Sequence, residues 1–263
     1  MNYSSYLQMQ DRYYEADVPP DDVVGNFAWH ENFPYETFLL HRNGDIRFPV
    51  LQDFHSKVAL DFACGPGRMI ARMSKLFRRV DGVDISSRLL AEAKRRAPQS
   101  NFYHSSGDDI GAVPRGAYDF VYSTIAMQHI ACHDVRLRIL ERLAEVLAPG
   151  GAITIQMAFR PDFPFTARRE YQVMNYRLQI AKKVTSCASW LENRVNAATT
   201  NGGCDVGIGA NDLDTVLSEF GSLFASVTCW FYDVSLVYSN LGGVSHESGY
   251  WPTHWIFING CKL

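Results

Sequence analysis

The chain of 263 residues lacks the charge excess, the cysteine spacing and the long apolar runs that mark several large protein classes. Its formal net charge is −3, so its balance gives no support to nucleic-acid binding driven by phosphate neutralisation. The basic clusters Arg78-Arg79, Lys94-Arg95-Arg96, Arg168-Arg169 and Lys182-Lys183 are scattered over expected helices and turns and read as solvated faces. The cysteines, at 64, 132, 187, 204, 229 and 261, form no C-x-x-C pair and no His/Cys cluster at zinc spacing. Reduced thiols in a cytoplasmic protein are the simplest reading. No stretch approaches the roughly 18 apolar residues of a membrane span, so none is expected. The N-terminus has no basic region followed by an apolar run, and no signal peptide is expected either. Repeats and low-complexity tracts are absent from the sequence.

What is present is a globular composition, 47% hydrophobic and 20% charged, with enough length to bury a substantial core. From 57 to 159 strand and helix patterns alternate. Strands are expected over 57–62, 80–85, 101–104, 118–123 and 152–157. Helices are expected over 67–77, over 88–97 where Pro98 stops it, and over 134–147, ended by Pro149-Gly150-Gly151. That alternation predicts a parallel sheet with helices on both faces. Residues 160–205 break the pattern, with helical stretches at 167–184 and 189–198 ending in Asn201-Gly202-Gly203. A helix capped by Asn211 or Asp212 and stopped by Gly221 follows, then strands over 226–237 and 254–262. The loop between them, 238–253, is long enough to suggest a working segment. The first 50 residues are irregular and aromatic (Tyr13, Tyr14, Phe27, Trp29, Phe33, Tyr35, Phe38) and are not expected to join the parallel core. This arm and the 160–205 insertion read as a cap over the carboxyl edge of the sheet, set on a domain of 51–263. Packing of the aromatics against the outer helices is the alternative.

Residues 58–68, Val-Ala-Leu-Asp-Phe-Ala-Cys-Gly-Pro-Gly-Arg, join a buried strand to a helix through a loop of small residues. Such a loop brings bare backbone to a ligand at the carboxyl ends of the strands. A dinucleotide loop, G-x-G-x-x-G, needs a third glycine for close helix packing, and here that position is Ile70. Asp61 before the loop suits a cation and would repel a pyrophosphate. Both features point away from NAD. Asp84, ending the second strand, is placed to accept both hydroxyls of a ribose, or to serve the start of the helix at Ser86 and Ser87.

The stretch Asp61-Phe62-Ala63-Cys64-Gly65-Pro66-Gly67 resembles the first motif of class I S-adenosylmethionine-dependent methyltransferases, D/E-x-G-x-G-x-G, with Ala63 replacing the first glycine. Leu147-Ala148-Pro149-Gly150-Gly151 is similar to the turn before the fifth strand of that family. The resemblance covers 57–159 well and 211–262 loosely. It implies a Rossmann-like, doubly wound α/β fold: a mostly parallel seven-stranded sheet with the last strand antiparallel. It implies S-adenosyl-L-methionine as cofactor, with S-adenosyl-L-homocysteine as product. The implied cofactor contacts are Asp61, Ala63, Cys64, Gly65, Gly67, Asp84, Ile85, Gly107, Asp108, Ser123 and Gln128. For the segment Ser105-Ser106-Gly107-Asp108-Asp109-Ile110 the resemblance implies an adenine contact from Asp108 or Asp109, with a plain turn as the alternative. Ser123 to Ile130 flanks the methionine moiety and then the acceptor, where His129 is either a general base or a backbone cap. No metal is demanded. The expected activity is methyl transfer to a small polar acceptor, a sugar hydroxyl or a metabolite oxygen or nitrogen, as in the type-11-like small-molecule branch. A cofactor-binding partner subunit without catalysis is the rival. A nucleic-acid methyltransferase is disfavoured, since no N/D-P-P-Y follows the fourth strand.

Overall fold

The computed structural model describes residues 3–15, 35–42, 45–46, 51–130, 133–160, 208–209, 213–233 and 254–262. The predicted helices at 167–184 and 189–198, the loop 238–253 and the aromatics Phe27, Trp29 and Phe33 lie outside the described residues.

Seven strands form one sheet: β1 (Val58–Phe62), β2 (Arg79–Asp84), β3 (Phe102–His104), β4 (Tyr118–Ser123), β5 (Leu147–Arg160), β6 (Ala225–Asp233) and β7 (His254–Cys261). Their spatial order is β3-β2-β1-β4-β5-β7-β6, and the short Ile208–Gly209 segment pairs with the end of β5. β1 to β5 pair in parallel, while β7 runs antiparallel to both β5 and β6. β1 is buried along its whole length, as a central strand covered on both faces must be. Sheet order reverses between β1 and β4, and the crevice beyond the carboxyl ends there is the usual ligand place of an open α/β sheet.

Helices cover both faces. On one face α2 (Tyr35–Leu40), α3 (Arg68–Met73) and α4 (Ser87–Arg96) bury Leu39, Leu40, Ile70, Met73 and Leu90 against Phe120, Tyr122 and Phe257. On the other, α5 (His133–Val146) and α6 (Leu213–Leu223) bury Ile139, Leu143, Val216 and Phe220 against Val121, Ile153 and Ile258. α1 (Tyr3–Tyr14) lies at the carboxyl edge, where Leu7 packs against the core of this second face. Part of the arm therefore does enter the core: Tyr35 stacks on Trp255 with centroids 5.7 Å apart, and the Leu39 carbonyl accepts from Thr154 Oγ1 at 3.3 Å.

Three boundaries differ from expectation. α3 stops at Met73, and Phe77 completes the following turn by stacking on Phe120 at 5.8 Å. β5 starts at Leu147, which pairs with Tyr118 before the ladder shifts register, so Pro149-Gly150-Gly151 sits within the strand instead of before it. α6 runs through Gly221, because its last turn carries Phe224 onto Gly260, where a Cβ would lie 2.6 Å from the ring's own Cβ.

The register lines up one row of polar side chains across the first face. Asp61 pairs with Tyr122, Tyr122 with Thr154, and Thr154 with Asn259. All are buried. Thr154 Oγ1 donates to Asn259 Oδ1 at 3.0 Å, so the β5–β7 end of the row is paired. At the β1–β4 end, Asp61 Oδ2 and the Tyr122 hydroxyl have no hydrogen-bond partner among the described residues.

Candidate functional site

The loop after β1 is built from left-handed backbone. Ala63, Gly65 and Gly67 have φ of 57°, 52° and 81°. The two glycines accept this freely, whereas Ala63 carries the steric penalty of an L residue there. Gly67 caps α3, and a Cβ on it would press to 3.0 Å against Ala93 of α4. The packing role of the missing third glycine falls instead on Gly82 of β2: Ile70 Cδ1 and Cys64 Sγ lie 2.6 Å and 2.7 Å from where its Cβ would be. Bulk at Ile70 is thus received by an absence of bulk on the strand beneath.

Asp61 ends the row described above. Its Oδ2 is buried and has no hydrogen-bond partner among the described residues. Burial raises its pKa well above the ordinary carboxylate range, the nearby Tyr122 hydroxyl works against this, and the charge of Asp84 adds to it. The Tyr122 hydroxyl itself completes no hydrogen bond of ordinary geometry, and burial pushes its pKa up as well. Cys64 is a buried free thiol whose pKa is raised by burial and then by Asp84 and Asp61, so it is held protonated and unreactive. A cation entering here would meet an acceptor that no described residue pairs.

Asp84 ties the loop to β2. Its Oδ2 accepts from Gly65 N at 2.8 Å and its Oδ1 from Ser86 N at 2.9 Å, while Ser86 Oγ caps α4 through Leu89 N. The carboxylate, with about four acceptor sites, has capacity for a further donor. Burial raises the Asp84 pKa against the backbone N–H groups of Ser86, Gly65 and Ile85, and Glu15 adds to the rise. Beyond it, Ile85 and Leu7 of α1 lie 2.9 Å and 3.5 Å from where a Cβ on Gly107 would be, an apolar rim beside the Asp84 carboxylate.

The loop after β3 separates the two neighbouring acids. Asp109 Oδ1 accepts from Ser106 N at 2.9 Å and Gly111 N at 3.1 Å, and Ser105 Oγ donates to the Asp109 carbonyl. Burial opposes its charge, yet these N–H groups with the Ser106 and Ser105 hydroxyls hold its pKa below the ordinary value. Asp109 shapes the turn. Asp108 faces outward from it, accepting from Ser106 Oγ at 3.0 Å and meeting Arg138 at 3.6 Å.

After β4, Ser123 Oγ is buried and has no partner among the described residues. Ile125 follows with φ of 60°, its N–H donating to the side-chain Oε1 of Gln156 on β5. Met127–His129 form a 3-10 turn in which Gln128 is buried and His129 half-buried. α1 spans this edge: Gln10 Nε2 donates to the His129 carbonyl at 3.3 Å, Glu15 Oε1 accepts from Ser87 N and Arg88 N, and Arg88 donates to the Tyr14 carbonyl at 3.3 Å. Asp11, Glu15 and His104 bring three ligand atoms within 4.8 Å of one another, with Glu15 already committed to the α4 N-terminus.

Asp61, Ala63, Cys64, Gly65, Gly67, Asp84 and Ile85 are therefore contiguous, Gly107 adjoins Ile85, and Ser123 lies two residues before the strained Ile125 on the neighbouring strand end. Tyr122, Gln156, Gln10 and Glu15 escaped the sequence reading. For Gln156 a signal existed, since Thr154 and Gln156 alternate as polar residues inside an otherwise apolar strand.

The site is rich in carboxylates and in acceptors that no described residue pairs, which suits a cationic, phosphate-free ligand with a ribose. Residues 59–151 match the family described as "Methyltransferase domain". The chain is 34% identical over 137 residues to trans-aconitate 2-methyltransferase of Variovorax paradoxus, covering 48% of this chain and 51% of the relative. It is 32% identical over 100 residues to the protein of that name from Paracidovorax citrulli, covering 37% of each. The chain thus spans about half the length, or less, of these curated relatives. Geranyl diphosphate C-methyltransferase from Streptomyces coelicolor, solved with Mg2+, geranyl diphosphate and S-adenosyl-L-homocysteine, superposes with a TM-score of 0.58 at 15% identity over 98% of both chains. DhpI in complex with SAH gives 0.59 at 15% over 99% of both. At that identity the likeness is one of fold.

Proposed function

We propose that this chain, whose residues 59–151 match a methyltransferase domain, is a class I S-adenosylmethionine-dependent enzyme that methylates a small polar acceptor, a hydroxyl or amine of a sugar or metabolite. The observation that carries the reading is Asp61, a buried carboxylate with an unpaired oxygen beside a loop of bare left-handed backbone. S-adenosyl-L-methionine, when bound, supplies a methyl carbon activated by a cationic sulfur. Asp61 would offset positive charge, Asp84 would accept the ribose hydroxyls, and Ile85 with the 105–109 loop, Asp108 foremost, would frame the base. The chain's remaining work is to orient the acceptor, exclude water and remove one proton. His129, at the end of the turn after β4, is our candidate for that proton.

α1, together with the 160–205 insertion, is read as the cap that excludes water; the span of α1 from α4 to the His129 carbonyl supports its share. The curated relatives named for trans-aconitate support a small-molecule acceptor. Free Cys64, Cys229 and Cys261 support a cytoplasmic setting, and among the described residues no helix is long and apolar enough to cross a membrane. The test is transfer of labelled methyl from S-adenosyl-L-methionine across a metabolite panel that includes trans-aconitate and sugars. Transfer to one class identifies the acceptor. Binding of the cofactor with no transfer across the panel would favour a partner subunit.

A further inference from the structure

Ile125 holds a conformation that its side chain opposes. A β-branched residue at φ 60° is a genuine outlier, and such residues persist only where their surroundings over-determine them. Here the restraint is visible: its N–H donates to Oε1 of Gln156, two residues past the polar row on β5. That donor fixes which end of the Gln156 amide is oxygen, and leaves Nε2 buried without a partner among the described residues. Gln156 is fully buried, so a leucine would pack there without an unmet donor. Among the described residues, the amide's one hydrogen bond is its hold on Ile125.

The peptide between Thr124 and Ile125 is trans, so turning the Ile125 N–H toward Gln156 turns the Thr124 carbonyl the opposite way. The orientation of that peptide governs the path from Ser123 to Gln128, the segment between the unpaired Ser123 hydroxyl and the turn that α1 covers. We propose that Gln156 is a positioning residue: it locks Ile125 left-handed and so keeps the 123–128 loop in its ligand-binding shape before ligand arrives. This inference rests on the cofactor reading above, and acts through the loop, not through contact with the cofactor.

The experiment is calorimetric titration with S-adenosyl-L-homocysteine, with thermal melts in parallel, on the unaltered protein, Gln156→Leu, Ile125→Gly and the double variant. Gln156→Leu is expected to bind about tenfold more weakly, the scale of one lost hydrogen bond. Glycine adopts positive φ freely, so Ile125→Gly no longer needs the restraint. The double variant is therefore expected to recover affinity to within about threefold of Ile125→Gly alone. A role for Gln156 in packing only would show no such rescue. Where Gln156→Leu fails to melt cooperatively, Gln156→Glu carries the test, because its carboxyl keeps an acceptor oxygen for Ile125 and must retain affinity. Unchanged binding by Gln156→Leu, a weakened double variant, or a folded but weakened Gln156→Glu each overturns the inference while the cofactor reading stands. No binding by the unaltered protein overturns both.

Discussion

Two buried carboxylates on adjacent strands of this sheet are treated in opposite ways. Asp81, near the amino end of β2, accepts from Tyr118 Oη at 3.0 Å, Asn101 N at 3.0 Å, Asn101 Nδ2 at 3.3 Å and Arg79 Nε at 3.1 Å. Asp61, near the carboxyl end of β1, has an oxygen with no partner among the described residues, beside the Tyr122 hydroxyl, which has none there either. The first saturates its acceptors and ties three strands together. The second leaves a donor-shaped vacancy where the sheet order reverses. Buried polar groups are ordinarily satisfied, and this oxygen, unmet among the described residues at a strand end, is where our reading places the cofactor's cation.

Disturbing each end should separate stability from binding. The largest effect is expected at the carboxyl edge. His129→Ala, if the imidazole takes the acceptor's proton, lowers turnover by roughly two to four orders of magnitude while leaving S-adenosyl-L-homocysteine affinity nearly unchanged. A near-normal rate would remove His129 from the mechanism. At the amino end, Asp81→Ala strands the Tyr118 hydroxyl and the Asn101 donors, and should lose about 3 kcal/mol by denaturant unfolding. Asp61→Asn should do the reverse: little or no stability lost, since the raised pKa shows that burial already penalises the charge, but about a tenfold to hundredfold loss of affinity. If the two aspartates swapped these signatures, the contrast between structural and ligand-binding carboxylates would fail.

The sign of the pH dependence follows from the same site. Asp61 has a raised pKa in the folded protein, so its contribution to stability is present in acid and is lost as pH rises through that value. An ammonium or sulfonium ligand lowers the pKa, so binding should release a proton and tighten as pH climbs above the ordinary carboxylate range. Calorimetry in buffers of different ionisation enthalpy reads that release directly, and Asp61→Asn should abolish it. Proton uptake instead would point to a different group. The smallest effect concerns the loop's one misfit: Ala63→Gly relieves an L residue at φ 57°, and is expected to raise stability by about 1 kcal/mol or less, with binding unchanged.

The sequence spoke most clearly where chemistry depends on spacing along the chain. Asp61, Gly65 and Gly67 could be expected side by side because one strand-loop-helix unit fixes their relation locally, and the structure brings Asp84 of β2 to the same loop through Gly65 N. Ile70 already argued against a pyrophosphate, yet the glycine that receives it, Gly82, lies on another strand and becomes legible only with the β1–β2 register. The same is true of Tyr122 and Gln156, whose meaning depends on which strands adjoin. Ile125 was beyond reach for a different reason: its residue type argues against the conformation it adopts. Gly221 misled because a helix-stop signal yields when one more turn buries a phenylalanine.

The most direct measurement is a paired calorimetric titration with S-adenosyl-L-homocysteine and with NAD. One equivalent of S-adenosyl-L-homocysteine should bind per chain, weakened in Asp61→Asn, with no heat from NAD. Saturable binding of NAD, or no binding of S-adenosyl-L-homocysteine, would contradict the assignment of the carboxyl edge to a cationic, phosphate-free cofactor.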